Sequence, residues 1–226
     1  MQDIIIALDG YSGCGKSSTA KEVAKALKYT YLDSGAMYRA VTLYFLRHQV
    51  NLQDSEVVAE ALDAINIRFS RNEDSLLNET YLNGENVEEE IRKMEVSKNV
   101  SAVSALPVVR KKMVSQQRAL GKDKRVVMDG RDIGSHVFPE AELKIFMTAD
   151  LKVRAERRMK ELAEKGGGAS LEEIENNLRE RDKLDSSRAQ SPLIRTEDAI
   201  EIDTTYLNFD EQVKKIVDLA KKLIER

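Results

Sequence analysis

The sequence predicts an α/β fold: a five-stranded parallel sheet with helices on both faces, a small antiparallel insertion and a helical lid. Three observations predict it. Short apolar runs recur between amphipathic stretches along the 226 residues. The first run, IIIALD at Ile4–Asp9, lacks polar alternation, as a strand buried on both faces does. It leads directly into a glycine-rich turn, DGYSGCGKSS at Asp9–Ser18, and then into a helical pattern.

Each element has its own signal. After the turn, a helix is expected from about Gly15 to Leu27, with Ala20, Val23, Ala24 and Leu27 facing inward. YTYL (29–32) reads as a second strand, and a helix starts near Ser34 as N-cap. AINIRFS and ETYLNGENV, within 62–87, alternate like exposed strands, and Asn83-Gly84 is a hairpin-turn signal. Helices follow near 88–104 and 107–120, divided at Pro107. RVVMD (125–129) and LKIFMT (143–148) are further buried strands. An arginine-rich helix covers Asp150–Ala163, and KGGGAS (165–170) is a flexible break. Ser170 and Glu173 form a capping box for a helix running toward Ser187, with Pro192 as its far limit. A last strand lies near 199–204, and an amphipathic helix closes the chain from Phe209. The interruptions at 62–87 and 150–188 are expected at the ligand-binding edge. The whole is read as a single domain, 1–226, with an inserted region near 60–105 and a lid near 150–188.

Composition excludes several classes. A net charge of −3 with mixed signs argues against general nucleic-acid affinity. No apolar run approaches a membrane span of about 20 residues, and the N-terminus has no basic region before its apolar run. One cysteine, Cys14, excludes an intrachain disulfide and fits a reducing cytoplasm. With 2 histidines, the chain has too few ligands for the usual structural zinc sites.

The turn carries chemistry. Gly10, Gly15, Lys16 and Ser17 satisfy G-x-x-x-x-G-K-[ST], between a strand and a helix as that motif requires. The glycines let backbone N–H groups approach phosphate oxygens, and the helix N-terminus favours anions. Residues Gly10, Tyr11, Ser12, Gly13, Cys14, Gly15, Lys16, Ser17 and Ser18 are therefore the candidate cradle for a nucleoside triphosphate. Lys16 is placed to neutralise the β- and γ-phosphates, and Ser17 to ligate Mg²⁺. Cys14 reads as a small filler, since a catalytic thiol wants a histidine partner.

Such a loop does not separate an ATPase, a GTPase and a kinase; a kinase also needs an acceptor pocket, positive charge and a lid against water. Three constellations bear on this. In DSGAMYR (33–39), Arg39 either faces a ligand or is a solvated arginine. DGRDIG (129–134) follows a buried strand at the end where α/β folds bind ligands. There Asp129 suits a magnesium-bound water, Arg131 an acceptor phosphate and Asp132 an amino group; a tight turn with surface charges is the other reading. In RERDKLDSSR (179–188), Arg181, Asp185 and Arg188 share one helix face, which alone reads equally as an exposed salt-bridged surface. Arg154, Arg157 and Arg158 supply arginines on the other side of the glycine break.

Together these stretches resemble bacterial cytidylate kinases, which are phosphate-loop (P-loop) nucleoside-monophosphate kinases. The resemblance runs from Ile4 to the last helix and includes LDSGAMYRA, EEIR, SALPVVR, MDGRDIG, FPEAELKIFMTA, RAERRM and RERDKLDSSRAQSPL. It implies transfer of the ATP γ-phosphoryl group to CMP or dCMP with Mg²⁺, in a cytoplasmic monomer. It implies that Ser34, Arg39, Arg131, Arg181 and Arg188 surround the monophosphate or the transferred group. Ser101, Arg110 and Asp132 would read the cytosine edge, Asp185 the sugar, and Arg157, with Arg154, the ATP side. Lys16, Arg131, Arg181 and Arg188 are the expected catalytic set. Tyr11 stands where the family more often has proline, and Ser17-Ser18 where Gly-Thr is common; neither removes a backbone donor. Cytosine offers an amino donor at N4 where uracil has a carbonyl. A carbonyl facing Asp132 leaves an unpaired polar group costing about 1–3 kcal/mol, so CMP is expected over UMP by roughly 10–100-fold. A kinase for another acceptor and a nucleotide-dependent switch are the competing readings. An alcohol acceptor usually needs a base, and a GTPase would show N-K-x-D, which is absent from the sequence.

Overall fold

The computed structural model describes residues 2–71, 78–164 and 168–225. Its main sheet has five strands: β1 (Ile5–Gly10), β2 (Thr30–Asp33), β6 (Val126–Asp129), β7 (Leu143–Thr148) and β8 (Ile200–Asp203). Their order is β2-β6-β1-β7-β8, with β1 parallel to β6 and β7, and β7 parallel to β8. All six residues of β1 are buried, so both faces of the central strand are covered, as its unbroken apolar run requires. On one face, Ile4, Ile6 and Leu8 join Val23 of α1 (Lys16–Leu27) and Ile216 of α8 (Phe209–Ile224) in a single apolar cluster. The chain leaves β1 toward β2 on one side, while β7 and β8 extend the sheet on the other. The crevice at the C-terminal end of β1 is thus the switch point where open α/β sheets bind ligands.

The chain divides into two compact units, residues 1–31 with 121–226, and residues 32–120. The first holds most of the sheet. It also carries α6 (Leu151–Glu164) and α7 (Leu171–Ser187), joined to each other through Ala155, Ile174 and Leu178. Ser170 caps α7 through the expected box: its hydroxyl accepts from the Glu173 amide, and its own amide donates to the Glu173 carboxylate. Of the glycine break expected between α6 and α7, residues 165–167 lie outside the described residues.

The second unit contains α2 (Ser34–Arg47), α3 (Ser55–Asp63), α4 (Met94–Ala105) and α5 (Pro107–Leu120) around one core. Its antiparallel sheet is β3 (Ile67–Arg71), β4 (Asn78–Leu82) and β5 (Glu85–Asn86), in that order. The Asn83-Gly84 turn joins β4 and β5, with φ of 50° and 89°, the left-handed pair that a two-residue hairpin uses. Two details differ from the sequence reading. The N-cap of α2 is Asp33, whose carboxylate accepts from the Ala36 amide at 2.8 Å, and Ser34 is the first helical residue. The helix expected from 88 is a short 3₁₀ turn at Glu90–Arg92 followed by α4. Helix α3 carries a sequence signal not singled out above: Asp54 caps it by accepting from the Glu56 and Val57 amides, and Val58 and Leu62 are its buried positions.

Candidate functional site

The phosphate loop sits between β1 and α1, and its backbone conformation depends on glycine. Gly10 has φ 143°, and a Cβ there would lie 2.0 Å from the Met147 carbonyl oxygen of β7. Gly15 is left-handed at φ 90° and caps α1. Cys14 is fully buried and donates its thiol hydrogen to the Tyr11 carbonyl at 3.0 Å, the packing role expected of it. Lys16 is also buried, and its Nζ donates to the same carbonyl at 2.6 Å. Burial lowers the Lys16 pKa, and the Arg131 guanidinium lowers it further. Ser17 Oγ donates to Asp129 Oδ2 at 2.8 Å, and Tyr31 Oη donates to Asp129 Oδ1 at 2.7 Å. A hydroxyl and a carboxylate in contact beside the phosphate cradle make an oxygen donor set suited to Mg²⁺.

Tyr11, the unusual residue of the loop, is clamped. Its ring meets Phe146 edge-on at 5.8 Å, and the Arg154 guanidinium lies 5.3 Å from its centroid. Arg154 is tied down in turn: it donates to the Ala149 and Ser12 carbonyls at 3.0 and 3.1 Å and to Asp182 Oδ2 at 2.6 Å. Asp182 Oδ1 also accepts from the Ser12 amide in a long bond of 3.4 Å. Arg154 thus fastens the base of α6 to the loop and to α7. Arg157, one turn further along α6, donates to the Thr204 carbonyl and hydroxyl at 2.7 and 3.1 Å. The Thr204 hydroxyl lies 3.0 Å from the Thr148 carbonyl and 3.2 Å from the Cys14 carbonyl, either of which can take its single hydrogen, so Arg157 is held on a residue that abuts the loop.

The same unit gathers the DGRDIG turn and the α7 face. Arg131 Nε donates to Asp185 Oδ2 at 2.8 Å. Arg188, just past the end of α7, lies 3.8 Å from Asp185 and 3.6 Å from Asp132. Burial pushes the Asp185 pKa up, but Arg131 and the other arginines outweigh it and hold the carboxyl below its ordinary value. Arg131 moves the opposite way: burial depresses it, and Asp185 more than restores it. Arg181 is lowered to about 10, by burial first and by Arg131 second. Among the described residues, its buried Nε has no hydrogen-bond partner. The i, i+4, i+7 set therefore joins Arg131 in a largely enclosed ion-pair network, with Asp185 buried between Arg131 and Arg188 and Arg181 half-buried beside them, and is not an exposed surface.

The other expected ligand residues belong to the second unit. Arg39 donates to Ser97 Oγ at 2.9 Å and to the Ile91 carbonyl at 3.3 Å. Arg110 is buried, donates to the Ser104 carbonyl at 3.1 Å and lies 5.3 Å from the Tyr38 ring centroid. Ser101 is half-buried one turn before Ser104 in α4, and Ser34 is buried at the start of α2. Two functional candidates escaped the sequence reading: Asp182, and Asp9, whose carboxylate accepts from the Ile133 and Gly134 amides at 2.8 and 2.7 Å.

The family model for cytidylate kinase matches residues 6–222. A cytidylate kinase from Cytophaga hutchinsonii is 55% identical over 226 residues, covering 100% of this chain and 97% of that protein. Those from Flavobacterium johnsoniae and Bacteroides thetaiotaomicron are each 48% identical over 228 residues, covering 100% of this chain and 99% and 100% of theirs. Among solved structures, a shikimate kinase from Bacteroides thetaiotaomicron aligns over 100% of both chains at 13% identity with a TM-score of 0.47, a likeness too slight to bear on the acceptor.

Proposed function

The chain belongs to the cytidylate kinase family, and on that premise we propose that it transfers the γ-phosphoryl group of ATP to CMP or dCMP, giving ADP and CDP or dCDP. One observation carries this reading beyond the phosphate loop. Lys16 and Arg181 are each depressed by burial first and by the Arg131 guanidinium second, so three cations share a partly dry site with the Asp129, Asp182 and Asp185 carboxylates. Polyanionic groups suit such a concentration of cations, and a kinase with a phosphate acceptor brings two of them.

The reaction asks little covalent work of the protein. The acceptor phosphate oxygen is already a nucleophile, so no general base is needed. In the first unit, the loop Gly10–Ser18 cradles ATP, with Arg157 on its α6 side. Lys16, Arg131, Arg181 and Arg188 hold the two anions in line and stabilise the charge of the group in transfer. Asp132 accepts from cytosine N4, and Asp185 holds the sugar. In the second unit, Ser34 and Arg39 serve the monophosphate, and Ser101 and Arg110 donate to the cytosine acceptors. Ser17 and Asp129 would hold Mg²⁺, directly or through water, and its charge would offset that of the ATP phosphates. We place the enzyme in the cytoplasm as a monomer, with small-molecule substrates and without nucleic-acid or membrane partners. No helix among the described residues is long and apolar enough to cross a membrane.

A coupled ADP-release assay with ATP, Mg²⁺ and a panel of CMP, dCMP, UMP, AMP and shikimate tests the reading. CMP and dCMP should stimulate release, with CMP ahead of UMP by about 10–100-fold. Failure of both cytidine nucleotides to stimulate release would overturn it.

A further inference from the structure

The turn that carries Arg131 and Asp132 is bracketed by two ties to β1. Pairing between β1 and β6 ends at Leu8 opposite Asp129, and the Gly130 amide then donates to the Leu8 carbonyl at 2.9 Å. Beyond Arg131 and Asp132, the Ile133 amide donates to Asp9 Oδ1 at 2.8 Å and the Gly134 amide to Asp9 Oδ2 at 2.7 Å. Asp9 is the residue before Gly10, where the phosphate loop begins, and it is 5% exposed. Both its oxygens are thus spent on the turn, in two bonds from consecutive backbone amides. The Lys144 stem packs against the turn at Gly134, where a Cβ would lie 3.2 Å from it and in ordinary contact with Asp9 Oδ2 at 3.4 Å. The Lys144 Nζ is engaged elsewhere, 2.7 Å from Asp198.

We propose that Asp9 is a positioning residue: by holding the Ile133 and Gly134 amides, it fixes where Arg131 and Asp132 stand relative to the donor loop and so governs acceptor binding and transfer. This rests on the acceptor roles given above to Arg131 and Asp132. The loop takes its shape from its glycines, from α1 and from the hold of Arg154 and Asp182 on Ser12, so ATP binding should not depend on the contact between Asp9 and the turn. A residue that only supported the fold would lower the amount of active protein and leave the KM values alone. A positioning residue weakens one substrate and not the other.

The test uses the full chain. Asp9→Asn keeps the shape of the side chain but turns an amide toward one of the two N–H donors. It should raise KM for CMP at least tenfold and lower kcat at least tenfold, with the Kd for ATP, read from a fluorescent ATP analogue, within threefold of wild type. Asp9→Glu keeps a carboxylate but carries it one methylene away from its place against the two amides, and should raise KM for CMP about threefold with ATP binding unchanged. It decides the matter if Asp9→Asn does not fold. An unchanged KM for CMP in the folded variants, or equal weakening of CMP and ATP, would overturn the proposal. Wild-type protein run alongside separates this from the parent reading: if wild type itself ignores CMP, the acceptor assignment fails; if wild type responds and the variants match it, only the role of Asp9 fails.

Discussion

Single residues here pit function against stability. Arg181 is a partly buried guanidinium with an unsatisfied Nε, lowered to about 10 by burial and by the like charge of Arg131. Replacing it with methionine keeps much of the stem and removes the crowded charge. Arg181→Met should therefore lower kcat by about 10²-fold or more, while the nucleotide-free protein melts at or above the wild-type temperature. Thermal denaturation beside the ADP-release assay checks both halves; a large loss of melting temperature would mean that the guanidinium supports the fold. Lys16→Ala should show a comparable kcat loss with the fold intact, since among the described residues its Nζ bonds to the loop's own atoms, the Tyr11 carbonyl and Cys14 Sγ. Asp9 gives a pH signature. Burial raises its pKa from 3.8 to about 7, outweighing the two amide donors that favour its charged form. Between those values the folded chain holds a proton that the unfolded chain has released. The Asp9 contribution to stability is therefore fully present below about pH 4 and is lost as pH rises through about 7. The side chain introduced by Asp9→Asn does not titrate, so the stability gap between wild type and this variant should narrow from pH 5 to pH 8. Urea denaturation at both values measures it, and a constant or widening gap would show that Asp9 stays charged throughout.

At the scale of elements, the seating of α6 and α7 on the phosphate loop turns on one ion pair. Arg154 and Asp182 side chains are 7% and 15% exposed, and Asp182→Ala leaves the guanidinium without its carboxylate. Breaking such a pair costs about 3–5 kcal/mol, roughly a 10 °C fall in melting temperature for a chain of this size. ATP affinity should fall as well, because Ser12 loses its link to α7 and Arg154 also holds the Ser12 carbonyl. Isothermal titration with an ATP analogue checks this, and unchanged affinity would confine Asp182 to the fold. The elements differ in how far the sequence announces them. Strand β1 is plain because burial on both faces leaves an unbroken apolar run, and α7 is plain because its capping box is local. Asp33 and Ser34 are adjacent and both suit a cap, so pattern alone shifts the start of α2 by one residue. Helix α3 buries only Val58 and Leu62, too short a stripe to stand out. The arginines of the site were found because family motifs mark them. Asp9 and Asp182 were not, because the partners of Asp9 lie 124 and 125 positions away and those of Asp182 lie 28 and 170 away, beyond any local spacing rule.

At the scale of the whole molecule, the residues proposed for the acceptor come from both compact units, whereas those proposed for ATP come from the first alone. That division predicts distinct footprints for the two ligands. A non-hydrolysable ATP analogue should slow amide exchange in the loop Gly10–Ser18 and at the start of α1, where backbone N–H groups meet phosphate. It should leave α4 and α5 unchanged. CMP alone should slow exchange in the turn 129–134 and in the second half of α7. It should also do so around Ser101 in α4 and Arg110 in α5, whose side chains are assigned to the base. Uracil lacks the N4 donor for Asp132, so UMP at the same concentration should give a weaker footprint at the turn 129–134. Hydrogen exchange read by mass spectrometry resolves these segments separately. Protection by CMP confined to one unit would remove the support for the roles given to the other. Protection of α4 and α5 by the ATP analogue alone would reverse the assignment of donor and acceptor ends.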